Sequence, residues 1–377
     1  MSSQAVSIPV LTPSSARCVG WQLFFCSAII PFIVTRALLI AVAFFAIERI
    51  PTARAVGWDL PTSSTALNIW SHFDGRWYLA IARDGYHWIP NQQNGVAFAP
   101  LYPMLMRLLG NLAGGSDQAY LIAGMAISNI ALLIAIGYMT ALLLLDGHDH
   151  RAAIRAGWYV LIFPTSLFLS AVYPMSLFMA LAAAALYHAR KNQWNLVGVL
   201  AGLAALSRPD GVLLTAALAV EYWMQRGFTF HRDLLPLALG PIATISWMAF
   251  QWRQFGNPLA FVEAQKQWSS CPITTVLHSP HGGLQLGPTA LFVLLSALAV
   301  FKLRPSLSAF SIIMLAVMLW ADRYWSITRF LLVLFPAFMM LGILGQRYKV
   351  VHLLYTFFSM PLAIILMMRF ALNLWVA

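Results

Sequence analysis

Charge is scarce in this sequence: Asp, Glu, Lys and Arg together make up 9% of the 377 residues, and only 12 residues are acidic. A water-facing globule of that length needs far more surface charge, which excludes an ordinary soluble enzyme or binding domain. Cysteine is scarcer still. Cys18, Cys26 and Cys271 stand before the first apolar run, within it and in a distant loop, which fits neither a disulfide framework nor a metal-ligand spacing. The sequence also lacks a glycine-rich phosphate loop, a GxSxG elbow, an HExxH helix, a lipidation motif, low-complexity tracts and a clean internal repeat.

Apolar residues are what it has in abundance, at 60% of the chain. A bilayer crossing takes roughly 20 apolar residues. Runs of that character occur at 21–47, 118–145, 155–172, 174–190, 194–206, 210–225, 233–252, 284–303, 306–321, 327–345 and 350–372. The expected fold is therefore all-α, a polytopic membrane helical bundle of about eleven transmembrane helices. The runs near 194 and 210 are too short to cross alone at about 1.5 Å per residue, so they must tilt, borrow flanking residues or end in a protein-lined cavity. Residues 1–20 are expected to be a mobile cytoplasmic N-terminus, and 21–377 one transmembrane domain. The first apolar run far exceeds the length of a secretory h-region and should remain as an anchor.

The net charge of +11 does not point to nucleic acid, because the basic residues sit in short loops between apolar runs. With the N-terminus cytoplasmic, the inside segments collect Arg17, Arg151, Arg155, Arg190, Lys191, Arg226, Arg232, Lys302, Arg304, Arg347 and Lys349, as the positive-inside rule expects. The segments left outside are the first loop, 48–117, the corner at 207–211, the loop at 251–283 and the turn at 321–328. They mix Asp74, Asp84, Asp210, Glu263 and Asp322 with Arg76, Arg83, Arg208, Lys266, Arg323 and Arg329. Mixed charge at membrane depth predicts a polar cavity.

The most informative stretch is WSHFDGRWYLAIARDGY, Trp70 to Tyr86. Phe73, Trp77, Ala80 and Ile81 recur at helical spacing, which predicts an amphipathic interfacial helix beginning at Asp74. Asp74 could cap that helix or act as a general base that takes the proton of an attacking hydroxyl; the two roles are compatible. Asp84 lies about 15 Å further along, too far for the roughly 5 Å carboxylate pair of a retaining glycosidase. A single-displacement, inverting reaction with one base is favoured. No general acid is needed if the leaving group is a phosphate, whose charge Arg208, Lys266, Arg323 and Arg329 could stabilise; each could equally be an interfacial cation paired with a nearby acid.

His72, Arg76, Trp77, Asp84, Tyr102, Asp210, Gln265 and Trp268 complete the candidate substrate-binding set around these cations. Pro100 and Pro103 bracket Tyr102 and predict a bent segment leading into a short re-entrant helix to about Ala113. Arg36, in the middle of the first span, would cost roughly 2.5–3.5 kcal/mol facing lipid, so it should point inward, to a substrate headgroup or to a buried carbonyl or acid. The DGHDH run, Asp146 to His150, has the composition of a metal cluster but falls in a cytoplasmic loop and is read as non-ligating.

At these residues the chain resembles the PIG-V type of mannosyltransferase, the second GPI mannosyltransferase of eukaryotes and its bacterial relatives, within the GT-C superfamily. The resemblance is carried, in order, by HFDGRWYLAIARDGY, FAPLYPMLMR, FPTSLFLSAVYPMSLF, GLAALSRPDG, FGNPLAFVEAQKQW and SITRFLLVLFP. It implies a GT-C-like bundle, Asp74 as the catalytic base and a dolichyl- or polyprenyl-phosphate sugar donor, usually of mannose. Such donors need no metal-bridging DxD motif, so a metal-independent reaction is expected, with a divalent cation left open. Pro174 and Met175 stand where relatives often carry an acid, and Phe330 follows Arg329 where many have tyrosine, so donor or acceptor choice is expected to differ. The expected setting is a bacterial plasma membrane with the site on its external side and a lipid or cell-envelope glycan as acceptor. The competing readings are a transporter or lipid flippase, whose polar site would sit at the midplane, and a non-catalytic scaffold.

Overall fold

A computed structural model of the chain describes residues 22–50, 62–268, 272–279, 282–321 and 324–376. The expected mobile N-terminus and the candidate Arg323 lie outside these residues. Helices dominate: α1 (Gln22–Arg49), α2 (Asp74–Asp84), α3 (Leu101–Leu112), α4 (Asp117–Leu145), α5 (His150–Ile162), α6 (Met175–Arg190), α7 (Trp194–Ser207), α8 (Leu214–Arg226), α9 (Leu239–Phe255), α10 (Ala260–Lys266), α11 (Gly282–Lys302), α12 (Pro305–Trp320), α13 (Phe335–Arg347) and α14 (Lys349–Ala371). The chain is an all-helical, polytopic membrane protein. Among the described residues five helices are long and apolar enough to cross a bilayer alone, and a sixth crossing results if the bent pair Tyr324–Val333 and Phe335–Arg347 counts as one.

Two of the expected spans are broken. The run at 155–172 ends as a helix at Ile162, ahead of Pro164, and continues as a short turn of 3-10 helix, Ser166–Leu169. Proline lacks the N–H the next turn needs and forces the preceding residue out of helical geometry. The run at 327–345 bends by 72° ahead of Pro336 for the same reason. Arg36 accounts for the stability of the first break. Its guanidinium donates to the carbonyls of Leu161 (2.8 Å) and Ser166 (2.9 Å) and to the hydroxyl of Ser170 (3.0 Å). Carbonyls orphaned where α5 stops are thus satisfied inside the bundle, where no water could do so. Of the two roles left open for Arg36, the buried-carbonyl role is the one observed.

Packing is close because small residues line the contacts. A side chain at Gly342 of α13 would run into the Ala152 carbonyl of α5, and one at Gly198 of α7 into the Pro236 carbonyl ahead of α9. Helices in lipid associate through such backbone approach rather than through hydrophobic exclusion. Polar capping fixes the helix starts: Ser116 accepts from Ala119 N–H at the head of α4 (3.2 Å), and Asp149 from Arg151 N–H at the head of α5 (2.6 Å). Helix α3 begins after Pro100 and ends at Leu112, as the proline spacing predicts.

Helix α2 forms where expected, but the face it buries is Gly75, Tyr78, Leu79, Ile81 and Ala82, with Phe73, Trp77 and Ala80 only half-buried. Tyr78 packs on Phe98, Tyr102 and Tyr173. The buried face is therefore offset from the expected stripe, of which only Ile81 is fully buried. The aromatic partners that shift the stripe come from segments far away in the chain.

Candidate active site

Asp74 is the first residue of α2, and its side chain does not cap the helix. Its carboxylate instead pairs with Arg329, Oδ2 to Nη2 at 2.9 Å, and the two side chains retain 16% and 12% of their exposure. Arg329 comes from the short turn Ile327–Phe330 before the bend in the last-but-one span. Its guanidinium rests on Phe168, Tyr173 and Phe330, with the Phe330 centroid 5.0 Å away. Its Nε is buried without an acceptor among the described residues.

Arg208 stands against the same ring, 5.7 Å from the Phe330 centroid, and against Phe178 at 5.5 Å. It forms a two-point contact with Asp210, Nε to Oδ1 at 2.9 Å and Nη2 to Oδ2 at 2.8 Å. Such forked pairing fixes a guanidinium in plane and orientation. Burial raises the Tyr78 phenol well above its ordinary value, Asp74 raises it further, and Arg208 and Arg329 oppose that. Asp74, Arg208 and Arg329 thus act on one point although they come from three distant parts of the chain.

The backbone ahead of Asp74 is strained. Phe73 has φ 56° and ψ −122°, a conformation that a bulky L-residue rarely adopts and that costs on the order of 1–3 kcal/mol. His72 precedes it, buried, with Nδ1 donating to the Phe370 carbonyl (2.7 Å). Burial lowers the His72 pKa to about 4 against a small upward pull from that carbonyl, and nearby Arg76 lowers it further. The imidazole is therefore neutral at physiological pH and serves as a fixed donor.

The other candidates are spread around this pair. Trp77, Phe98 and Trp268 form an aromatic cluster with centroids 5.6–6.4 Å apart, and Trp268 Nε1 has no acceptor among the described residues. Gln265 Nε2 donates to the Ala97 carbonyl (3.2 Å), which docks α10 on the first loop. Lys266 is exposed and joins no ion pair among the described residues. Tyr102 is fully buried; its hydroxyl donates to the Gly124 carbonyl (2.9 Å) and meets Ser128 Oγ (2.8 Å), so it supports the site without facing it. Asp84, at the opposite end of α2, pairs with Arg83 on the surface (3.0 Å).

Sequence reasoning missed Tyr173 and Phe330 as parts of the site. Both lie in motifs that drew attention, and Tyr173 directly precedes Pro174 at the first break; that a hydroxyl follows an interrupted apolar run was the available signal. Neither Asp74, Arg208 nor Arg329 lines a cavity of about 60 Å³ next to Thr328 or one of about 480 Å³ between α11 and α12. No group of three or more His, Cys, Asp or Glu side chains able to hold a metal occurs among the described residues. Within DGHDH, Asp146 pairs with Arg190 and Asp149 caps α5.

The site thus sits in an all-helical membrane bundle of broken apolar helices, with a carboxylate–guanidinium pair at the head of a loop helix. The fold is similar to that of ArnT from Cupriavidus metallidurans bound to undecaprenyl phosphate, with a TM-score of 0.50 and 17% identity over 84% of this chain and 60% of that one. The apo state of the same protein gives a TM-score of 0.50 at 17% identity, over 88% and 60%. The archaeal oligosaccharyltransferase AglB from Archaeoglobus fulgidus, in complex with an inhibitory peptide and a dolichol-phosphate, gives 0.39 at 14% identity, over 90% and 55%. The chain thus spans about three fifths of the length of ArnT. No curated protein matches it by sequence. Residues 59–234 match the family described as mannosyltransferase (PIG-V). The matched segment contains Asp74, Tyr173, Arg208 and Asp210; Arg329 lies beyond it.

Proposed function

We propose that this chain transfers a hexose, mannose in the first instance, from a polyprenyl-phosphate sugar to a hydroxyl of a lipid or cell-envelope glycan, with inversion at the anomeric carbon. The observation that carries the reading is the pairing of Asp74 with Arg329 beside Arg208, three groups brought together from distant segments in an aromatic shell. The acceptor oxygen attacks C1 of the sugar while its proton passes to Asp74, and the C1–O bond to phosphate breaks. Arg329 and Arg208 receive the charge that develops on the departing polyprenyl phosphate. The unpartnered Nε of Arg329 is a donor available for a phosphate oxygen.

Donor binding and base activation are linked in this scheme. Arg329 pairs with Asp74. A phosphate that draws Arg329 toward itself leaves the carboxylate free to accept the proton of the acceptor. Trp77 and Trp268 supply aromatic faces for a sugar ring at the edge of the same loop.

In this reading about eleven apolar runs cross the bilayer, and the first loop, α10 and the turn bearing Arg329 meet on the external side of a bacterial plasma membrane. The test uses the full-length protein in lipid nanodiscs with a panel of polyprenyl-phosphate sugars. Mannosyl transfer by the wild type and a loss of about 10²–10⁴-fold in Asp74→Asn are expected. Undiminished turnover by Asp74→Asn, in protein that elutes and melts as the wild type does, removes Asp74 as the base.

A further inference from the structure

We infer that Tyr173 is the positioning residue that holds the Asp74 carboxylate in its reactive place, an inference that rests on the proposed role of Asp74 as base. The Tyr173 hydroxyl donates to the His72 carbonyl (3.0 Å) and accepts from the Asp74 N–H (3.1 Å). It therefore bridges the two residues on either side of Phe73, whose φ is 56°. A hydroxyl can donate and accept at once, and no apolar ring of the same shape can do so. Both bonds exist only while Phe73 keeps its unfavourable conformation, so the bridge opposes relaxation of the strained residue.

The bridge is itself firmly anchored. Val172 N–H donates to the Trp70 carbonyl (3.0 Å), and Ser128 Oγ donates to the Tyr173 carbonyl (3.0 Å). Its ring packs edge-on to Phe168 at 5.0 Å and lies 6.0 Å from the Arg329 guanidinium. One side chain thus touches both the backbone that aims Asp74 and the cation that pairs with it. A displaced base is costly, because a shift of about 1 Å can lower the rate of a positioned reaction by about 100-fold.

The experiment compares Tyr173→Phe with Tyr355→Phe, which removes another buried hydroxyl bonded to a backbone carbonyl, that of Tyr159 (2.9 Å). Tyr173→Phe is expected to lower kcat about 10- to 100-fold with donor KM within about threefold, whereas Tyr355→Phe keeps wild-type kcat. Adding Phe73→Gly should return kcat toward the wild type, because glycine adopts φ 56° and ψ −122° without strain and no longer needs the bridge. Wild-type kcat in Tyr173→Phe, or an equal loss in Tyr355→Phe, overturns the inference. Should Tyr173→Phe alone fail to fold, the double variant is compared with Phe73→Gly: similar kcat supports the bridge, and a further large loss overturns it. If Asp74→Asn also keeps full turnover, it is the base assignment that has failed; if Asp74→Asn is inactive and Tyr173→Phe is not impaired, only the positioning role has.

Discussion

Asp74 and Glu221 both meet arginines, and their surroundings differ in a way that separates structure from chemistry. Glu221 of α8 is fully buried and fully engaged. Arg304 reaches it twice (3.1 and 3.3 Å), Ser306 donates at 2.6 Å, Gln225 at 2.7 Å, and Arg190 lies 3.7 Å away. Among the described residues Asp74 has one ion-pair partner; it keeps some exposure and follows a strained residue. A buried carboxylate surrounded by donors is a clasp between helix ends, whereas one with a single displaceable partner can exchange that partner for a substrate.

That contrast can be broken by removing each acid in turn. Asp74→Asn is expected to lower transfer by about 10²–10⁴-fold and to leave the thermal midpoint nearly unchanged. Glu221→Ala should do the reverse. It leaves Arg304 and Arg190 without their common acid, at a cost of about 3–5 kcal/mol in stability, while protein that still folds turns over normally. Thermal unfolding and single-turnover transfer on both variants decide it: if Glu221→Ala impairs kcat and not stability, the two centres are not distinct in kind.

Much of this was legible in the sequence, and the limits are instructive. The helix at Asp74–Asp84, the proline-started helix at Leu101–Leu112 and the inward direction of Arg36 follow from periodicity, proline placement and the cost of charge in lipid. Asp74, Arg208 and Arg329 were nominated from their loops, and the structure brings those three together. The breaks at Phe163–Pro164 and Leu334–Phe335 were hidden because hydropathy counts apolar residues and is blind to a lost backbone hydrogen bond. Tyr173 and Phe330 were hidden because an aromatic residue in an apolar run looks the same whether it packs against lipid or bridges a loop. What distinguishes them is a partner in a remote segment, and no local pattern encodes that.

His72 sharpens the comparison by pH. Its pKa is lowered to about 4 by burial, and that of an unfolded histidine is 6.5. The folded form is therefore neutral where the unfolded chain takes up a proton. The contribution to stability is complete above pH 6.5 and is lost as pH falls toward 4, by about 2–3 kcal/mol over that window. Unfolding midpoints of wild type and His72→Gln, followed from pH 7.5 to 4.5, should converge as the pH drops. Parallel curves would place His72 among groups that stay solvated.

The smallest effect belongs to the other end of α2. Asp84 pairs with Arg83, which also reaches Asp117 at 3.0 Å, and the side chains of Arg83 and Asp84 are 49% and 46% exposed. The Arg83 hydrogen bond holds the Asp84 carboxyl below its ordinary value, so whatever it contributes is present above that value and fades only in strong acid. Solvent screens both partners, and exposed pairs are worth about 0–1 kcal/mol. Asp84→Asn should therefore change stability by no more than about 0.5 kcal/mol and leave transfer unaltered. The two aspartates lie on one helix, Asp74 at its head and Asp84 at its end, so the paired measurement isolates position from composition. A loss of turnover in Asp84→Asn comparable to that in Asp74→Asn would mean that both carboxylates take part in the reaction and that a one-base scheme is incomplete.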